Sequence, residues 1–178
     1  IGLTGVEPGL LNQPHGVAVA PDGSIYVADT MNNRIQHFAP DNSLINYWGS
    51  LTDHSLSDVQ PGTFDQPWGI AVGPDGSVYV ADTWNYRIQK FSATGEFLKM
   101  WGYSGQGNDP MTLYGPRDIA IDSAGRVLVT DTGNKRVVVY TSDGEYITQF
   151  GSAGMEAGQL DEPVGIAVDQ NDDVYLAD

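Results

Sequence analysis

Short apolar stretches alternate with turn-forming clusters along the whole chain. Residues 16–20 and 25–28 are runs rich in β-branched side chains, separated by Pro21-Asp22-Gly23-Ser24. Proline fixes φ and glycine accepts φ > 0, so this tetrapeptide predicts a tight turn between two strands. A second turn, Asp29-Thr30-Met31-Asn32-Asn33, leads into the alternating stretch Arg34–Phe38. A third, Pro40-Asp41-Asn42-Ser43, leads into Leu44–Trp48, and its counterparts are Ser92-Ala93-Thr94-Gly95 and Thr141-Ser142-Asp143-Gly144. The pattern predicts four antiparallel strands per unit, lettered a to d in chain order. No stretch sustains a 3.6-residue apolar period, so essentially no helix is predicted.

The unit recurs. From Pro14 the chain reads PHGVAVAPDGSIYVADTMNNRIQHF, and from Pro67 it reads PWGIAVGPDGSVYVADTWNYRIQKF. From Pro116 it reads PRDIAIDSAGRVLVTDTGNKRVVVY, and from Pro163 PVGIAVDQNDDVYLAD. The prolines are 53, 49 and 47 residues apart. Four-stranded units at this period predict an all-β fold, a β-propeller of four-stranded antiparallel blades. Blades fall at about 14–50, 67–102 and 116–151, with a partial blade at 163–178, all in one propeller segment over 1–178. The apolar positions Val17, Val19, Ile25 and Val27, with their equivalents Ile70, Val72, Val78 and Val80, are expected to fill the space between blades.

The runs Pro-x-Gly-Ile-Ala-Val and Val-Tyr-Val-Ala-Asp-Thr-x-Asn-x-Arg-Ile-Gln-x-Phe resemble the NHL repeat, over nearly the whole chain and three and a half times. The resemblance implies a propeller that closes with about six blades, roughly 290 residues at ~49 per blade. It implies no single function, because the family includes enzymes, RNA binders and interaction scaffolds. Ile1-Gly2 matches the end of a strand d, as in Trp48-Gly49, so the expected tally is fourteen strands, an incomplete circle. The expectation is a segment of a longer propeller; ring completion by self-association is the other account, less favoured because each half-blade would lack an outer c–d pair.

Composition narrows the function. The net charge is −15, with 8 basic against 23 acidic side chains. Nucleic-acid binding rests on lysine and arginine against phosphate and is not expected here. The charge favours a basic partner on rate grounds. Cysteine is absent, so neither a disulfide framework nor a thiolate site is available. No apolar run is long enough for a membrane span, and no signal-peptide pattern is visible from Ile1 onward. Likeness to NHL arrays of bacterial envelope and secreted proteins implies an extracytoplasmic setting.

The motif Asp-Thr-x-Asn-x-Arg recurs as Asp29, Thr30, Asn32, Arg34; Asp82, Thr83, Asn85, Arg87; and Asp131, Thr132, Asn134, Arg136. A feature present in every unit is expected to be structural, with Asp and Asn satisfying backbone donors at the b–c turn and Arg reaching the same corner. A binding site is expected where the units differ. The residue opening each inner strand is His15, Trp68, Arg117 or Val164. The variable b–c positions hold Met31, Trp84 and Gly133, then Asn33, Tyr86 and Lys135. All lie at one end of the blades, and aromatics with arginine are enriched in binding hot spots. The candidate binding residues are therefore His15, Met31, Trp68, Trp84, Tyr86, Arg117 and Lys135, for an unidentified protein, peptide or glycan; a plugged channel mouth is the plainer alternative.

No cofactor or metal is expected. The long d–a loop 50–66 carries Asp53, His54, Asp58 and Asp65, but their spacing fits no ligand pattern. Asp169-Gln170-Asn171-Asp172-Asp173 lacks the glycine and closing glutamate of an EF-hand loop and aligns with the a–b turns. No serine sits in a nucleophile elbow. Among relatives implied by the resemblance, the peptidyl-hydroxyglycine amidating lyase holds zinc through histidines around the channel, and Pro14-His15 has the form of one. A metal-dependent lyase or lactone hydrolase with His15 as one ligand is thus the alternative function. Against it, Trp68, Arg117 and Val164 take the equivalent places.

Overall fold

The computed structural model describes residues 3–55 and 60–178, so Ile1-Gly2 and Asp58 lie outside the described residues. The described residues form three four-stranded antiparallel sheets and one two-stranded antiparallel sheet, each meandering in chain order, and one further two-stranded parallel pair. The first blade is β1 (Val17–Val19), β2 (Ile25–Asp29), β3 (Arg34–Phe38) and β4 (Leu44–Trp48). The second is β5 (Pro67–Val72), β6 (Val78–Asp82), β7 (Arg87–Phe91) and β8 (Phe97–Trp101). A small parallel ladder, β9 (Tyr103–Ser104) with β10 (Thr112–Leu113), bridges to the third blade. That blade is β11 (Pro116–Ile121), β12 (Val127–Asp131), β13 (Arg136–Tyr140) and β14 (Tyr146–Phe150). β15 (Gly165–Val168) and β16 (Val174–Ala177) make the half-blade.

No α-helix occurs among the described residues, but each complete b–c turn winds into one 3₁₀ turn: Thr30–Asn32, Thr83–Asn85 and Thr132–Asn134. A single turn of three residues has no period to detect, which is why the sequence pattern did not announce it.

Alternation along the strands gives each blade two apolar faces, one for each neighbour. Tyr26, Ala28 and Ile35 of the first blade pack against Ile70, Val78 and Val80 of the second. Tyr79, Ala81 and Ile88 pack in turn against Ile119, Val127 and Val129. Val137 and Leu128 meet Ile166 of the half-blade. The expectation for Val17 and Val19 needs correction: they are 64% and 67% exposed, because no blade among the described residues covers that face of β1.

Two recurring devices join the blades. Thr30, Thr83 and Thr132 each donate from Oγ1 to the carbonyl of the proline opening the next blade, Pro67, Pro116 and Pro163, at 2.8, 2.9 and 2.7 Å. Trp48 and Trp101 lie on the next blade's c–d turn, where a Cβ on Gly95 (φ +84°) or Gly144 (φ +78°) would stand 2.6 or 2.5 Å from the indole. Only glycine fits there in both space and conformation.

Candidate functional site

The recurrent motif forms the same polar knot in each full blade. Asp29, Asp82 and Asp131 are fully buried, and each accepts from the Nε of its arginine, Arg34, Arg87 or Arg136, at 2.7, 2.7 and 2.8 Å. Each also accepts from Asn32, Asn85 or Asn134 and from one backbone N–H of the d–a loop: Asn12, Asp65 or Tyr114. The arginine Nη2 donates to two loop carbonyls, those of Glu7 and Leu10, Gln60 and Thr63, or Asp109 and Thr112. Gln36 and Gln89 add a bond to the same aspartates in the first two blades. The knot clamps the d–a loop onto the b–c turn, which rigidly presents the variable positions at that end.

At that end the residues opening successive inner strands stack on one another. The imidazole of His15 lies 4.0 Å from the Trp68 ring at 15°, and the Arg117 guanidinium lies 3.8 Å over the same indole. Each contact joins one blade to the next, giving an imidazole–indole–guanidinium ladder worth on the order of 1 kcal/mol per contact. His15 Nδ1 lies 3.0 Å from Thr30 Oγ1. Because that hydroxyl's one proton is directed at Pro67 O, the contact is made with His15 donating through Nδ1–H. Trp68 is half-buried, so its ring is an internal rung and not an open platform.

Beyond Arg117 the ladder opens into a cavity of about 380 Å³, lined by Trp84, Tyr86, Tyr114, Gly115, Arg117, Thr132, Gly133, Lys135, Asp161 and Glu162. Four of the residues expected from the sequence, Trp84, Tyr86, Arg117 and Lys135, thus meet in one hollow. Trp84 is 40% exposed and donates from Nε1 to Gln66 Oε1 at 3.3 Å. Tyr86 stacks on Tyr114 at 5.9 Å and 6°. Lys135 pairs with Asp161. Tyr86 and Lys135 both sit at φ +56°, a conformation glycine or asparagine adopts more cheaply. Met31 is exposed on the first blade's b–c turn and does not line the cavity.

Sequence reasoning missed Tyr114, Asp161 and Glu162, all from d–a loops. A signal existed for Tyr114: two residues before the repeat's proline the other units carry Asn12, Asp65 and Asp161. Its ring occupies space that a side chain at Gly133 would need, since a Cβ there would fall 2.1 Å from Tyr114 Cδ1. Asp118 was missed too. It stands where the other units have Gly16, Gly69 and Gly165, and accepts N–H bonds from Ile119 at 2.9 Å and Ile166 at 3.0 Å. Burial pushes its carboxyl pKa up against those two bonds.

The other histidines lie elsewhere. His37 is buried in β3, stacked on Tyr26 at 4.0 Å, and His54 pairs with Asp65 at 3.0 Å in the exposed loop. Asp53 accepts from Ser55 in its own turn. Among the described residues no group of three or more His, Cys, Asp or Glu side chains is arranged to hold a metal ion. The 169–173 segment is the a–b turn of the half-blade, with Asp169 N–H donating to Asp173 O and Asp172 accepting from Ser123 of the preceding blade.

This architecture is a β-propeller, three full blades and a half in radial succession. Three NHL repeats match at residues 11–38, 64–91 and 113–140, so the chain belongs to the NHL-repeat propellers. It is similar to peptidyl-glycine alpha-amidating monooxygenase A of Xenopus laevis, 43% identical over 91 residues, which are 49% of this chain and 10% of that protein. The chain thus spans about a tenth of the length of this curated relative. Among solved structures it resembles virginiamycin B lyase of Staphylococcus aureus with quinupristin: TM-score 0.69, 19% identity, covering 94% of this chain and 50% of that one. It also resembles a chain of a nidogen/laminin complex: TM-score 0.67, 19% identity, covering 94% and 56%. At those identities the two structures show the fold alone. Among the described residues no helix is long and apolar enough to cross a membrane.

Proposed function

We propose that the chain is a recognition module, non-catalytic by itself, that binds a protein, peptide or glycan at the end where d–a loops and b–c turns meet. The observation carrying this is the convergence of the repeat-breaking residues: the His15–Trp68–Arg117 ladder leads into one aromatic hollow containing Trp84 and Tyr86. The recurrent knots hold that end rigid, which lowers the ordering cost of binding. The likeness to a chain solved in a nidogen/laminin complex is consistent with such a role. Peptide and glycan arrays test the reading. It expects at least one ligand class to bind the chain and to lose about tenfold or more in affinity with Trp84→Ala. Binding of no class, or binding indifferent to Trp84→Ala and Tyr86→Ala, overturns it. An extracytoplasmic setting belongs to the same proposal, and localisation of a tagged parent protein tests it.

A second reading, a metal-dependent lyase or lactone hydrolase with His15 as one ligand, draws on the Pro14-His15 pair and on the relative named as an amidating monooxygenase. The donor set does not fit a catalytic zinc, which takes about three protein ligands. Trp68, Arg117 and Val164 hold the positions equivalent to His15, while His37 of β3 is stacked on Tyr26 and His54 pairs with Asp65 in a d–a loop. Equilibrium dialysis against zinc separates the readings: a tightly held equivalent abolished by His15→Ala would favour the enzyme.

A further inference from the structure

We propose that Arg117 receives the carboxylate of a small ligand whose aromatic or apolar body lies between Trp84, Tyr86 and Tyr114. This rests on the recognition reading above and specifies the ligand's chemistry.

The chain has five arginines. Arg34, Arg87 and Arg136 each bind a buried aspartate and two carbonyls, and Arg126 pairs with Asp122. Arg117 alone makes no hydrogen bond and no ion pair among the described residues, although it is half-buried. Its guanidinium carbon lies 3.8 Å from the Trp68 ring centroid and 6.0 Å from that of Trp84. The indole contact positions the group, and no side chain or carbonyl among the described residues takes its N–H donors, which stay open to solvent. A half-buried cation without a protein acceptor is available to a ligand's acceptor, and its planar fork matches a carboxylate in two parallel bonds.

The surroundings restrict what can bring that acceptor. About 380 Å³ lies near the small end for ligand cavities, which suits a small molecule or one chain terminus. The walls are Trp84, Tyr86 and the Tyr114 ring that Gly133 admits, so the body attached to the carboxylate is apolar or aromatic. Lys135 adds a second cation, already paired with Asp161. Glu162 is the opposing group, and with a net charge of −15 it disfavours dianions such as phosphate monoesters.

Two sources share this chemistry, a free aromatic acid and the C-terminal carboxylate of a peptide. Calorimetry on the chain would use indole-3-acetate, phenylacetate, their amides, and a Gly-Gly-Phe peptide with free or amidated C-terminus. The expected result is binding of an acid about 10- to 100-fold tighter than its amide, the range for a lost charge-assisted pair. The free acids or the peptide acid would show it according to source. Arg117→Gln should erase the preference, Arg117→Lys should keep part of it, and Glu162→Gln should tighten acid binding. Equal binding of acid and amide, no binding of any acid, or a preference surviving in a folded Arg117→Gln protein overturns the proposal. Should Arg117→Gln fail to fold by circular dichroism, the acid-to-amide ratio of the unaltered chain and the Glu162→Gln shift decide. Trp84-dependent binding on the arrays without acid preference would defeat the carboxylate assignment alone; loss of both would defeat the recognition reading too.

Discussion

Equivalent positions of the repeat carry different residues, and the differences have local consequences. The side chain facing the next blade from the fourth position of strand c is His37 in β3, Lys90 in β7 and Val139 in β13. Lys90 crosses to the Ser142 carbonyl at 3.1 Å, whereas both ring nitrogens of His37 are buried without a partner. Burial pushes the His37 pKa below 6.5, opposed more weakly by Asn46 and by the charge of Asp22. With the folded value below the unfolded one, stability is fully present above about pH 6.5 and is lost as pH falls through that value toward the folded pKa. Melting temperature followed from pH 7.5 to 5 should therefore drop more for the wild type than for His37→Val, which borrows the third blade's residue. Parallel curves would show that His37 carries no proton linkage. Carboxylates such as Asp22 and Asp41, lowered by hydrogen bonds from Ser24 and Ser43, keep their contribution throughout this range and lose it only as pH falls below about 4.

At the scale of elements, strand positions were legible from the sequence because they follow from rules acting over a few residues. The predicted stretch Arg34–Phe38 is β3 and Leu44–Trp48 is β4, since apolar alternation and Pro/Asp/Gly turns specify extended backbone locally. The parallel ladder β9–β10 was not legible: two-residue pairings inside a loop carry no period. The inter-blade role of the motif threonines was not legible either, because their acceptors lie 31 to 37 residues away. Thr83→Val keeps shape but leaves the Pro116 carbonyl without its buried donor. It should cost about 1–3 kcal/mol of unfolding free energy in urea, whereas the exposed Thr94→Val should cost under about 0.5. Equal small costs would mean that the threonine bond does not join the blades.

The whole molecule departs from the repeat at its faces. Every blade is built to be covered on both sides, and the β1 face bearing Val17 and Val19 stands open. Exposed β-branched rows beside a sheet invite association. Light scattering of the 178-residue chain should reveal concentration-dependent association that Val17→Thr with Val19→Thr reduces; a strictly monomeric wild type at high concentration would contradict this. The candidate site belongs to the same scale. Its residue types and its end of the blades could be read from where the repeats differ, as for Trp84, Tyr86, Arg117 and Lys135. That Trp68 is an inner rung, that Tyr114 and Glu162 complete the hollow and that Met31 stands apart could not.

The amino-acid sequence by itself determined the blades, their strands and the recurrent Asp–Asn–Arg corner, because alternation, turn chemistry and side chain-to-backbone bonds operate within a single unit. Tertiary structure alone decided which variable residues touch, which arginine lacks a partner and which apolar face is uncovered. Those outcomes depend on the radial placement of one blade against the next, where residues some fifty positions apart come within stacking distance and compete for the same space.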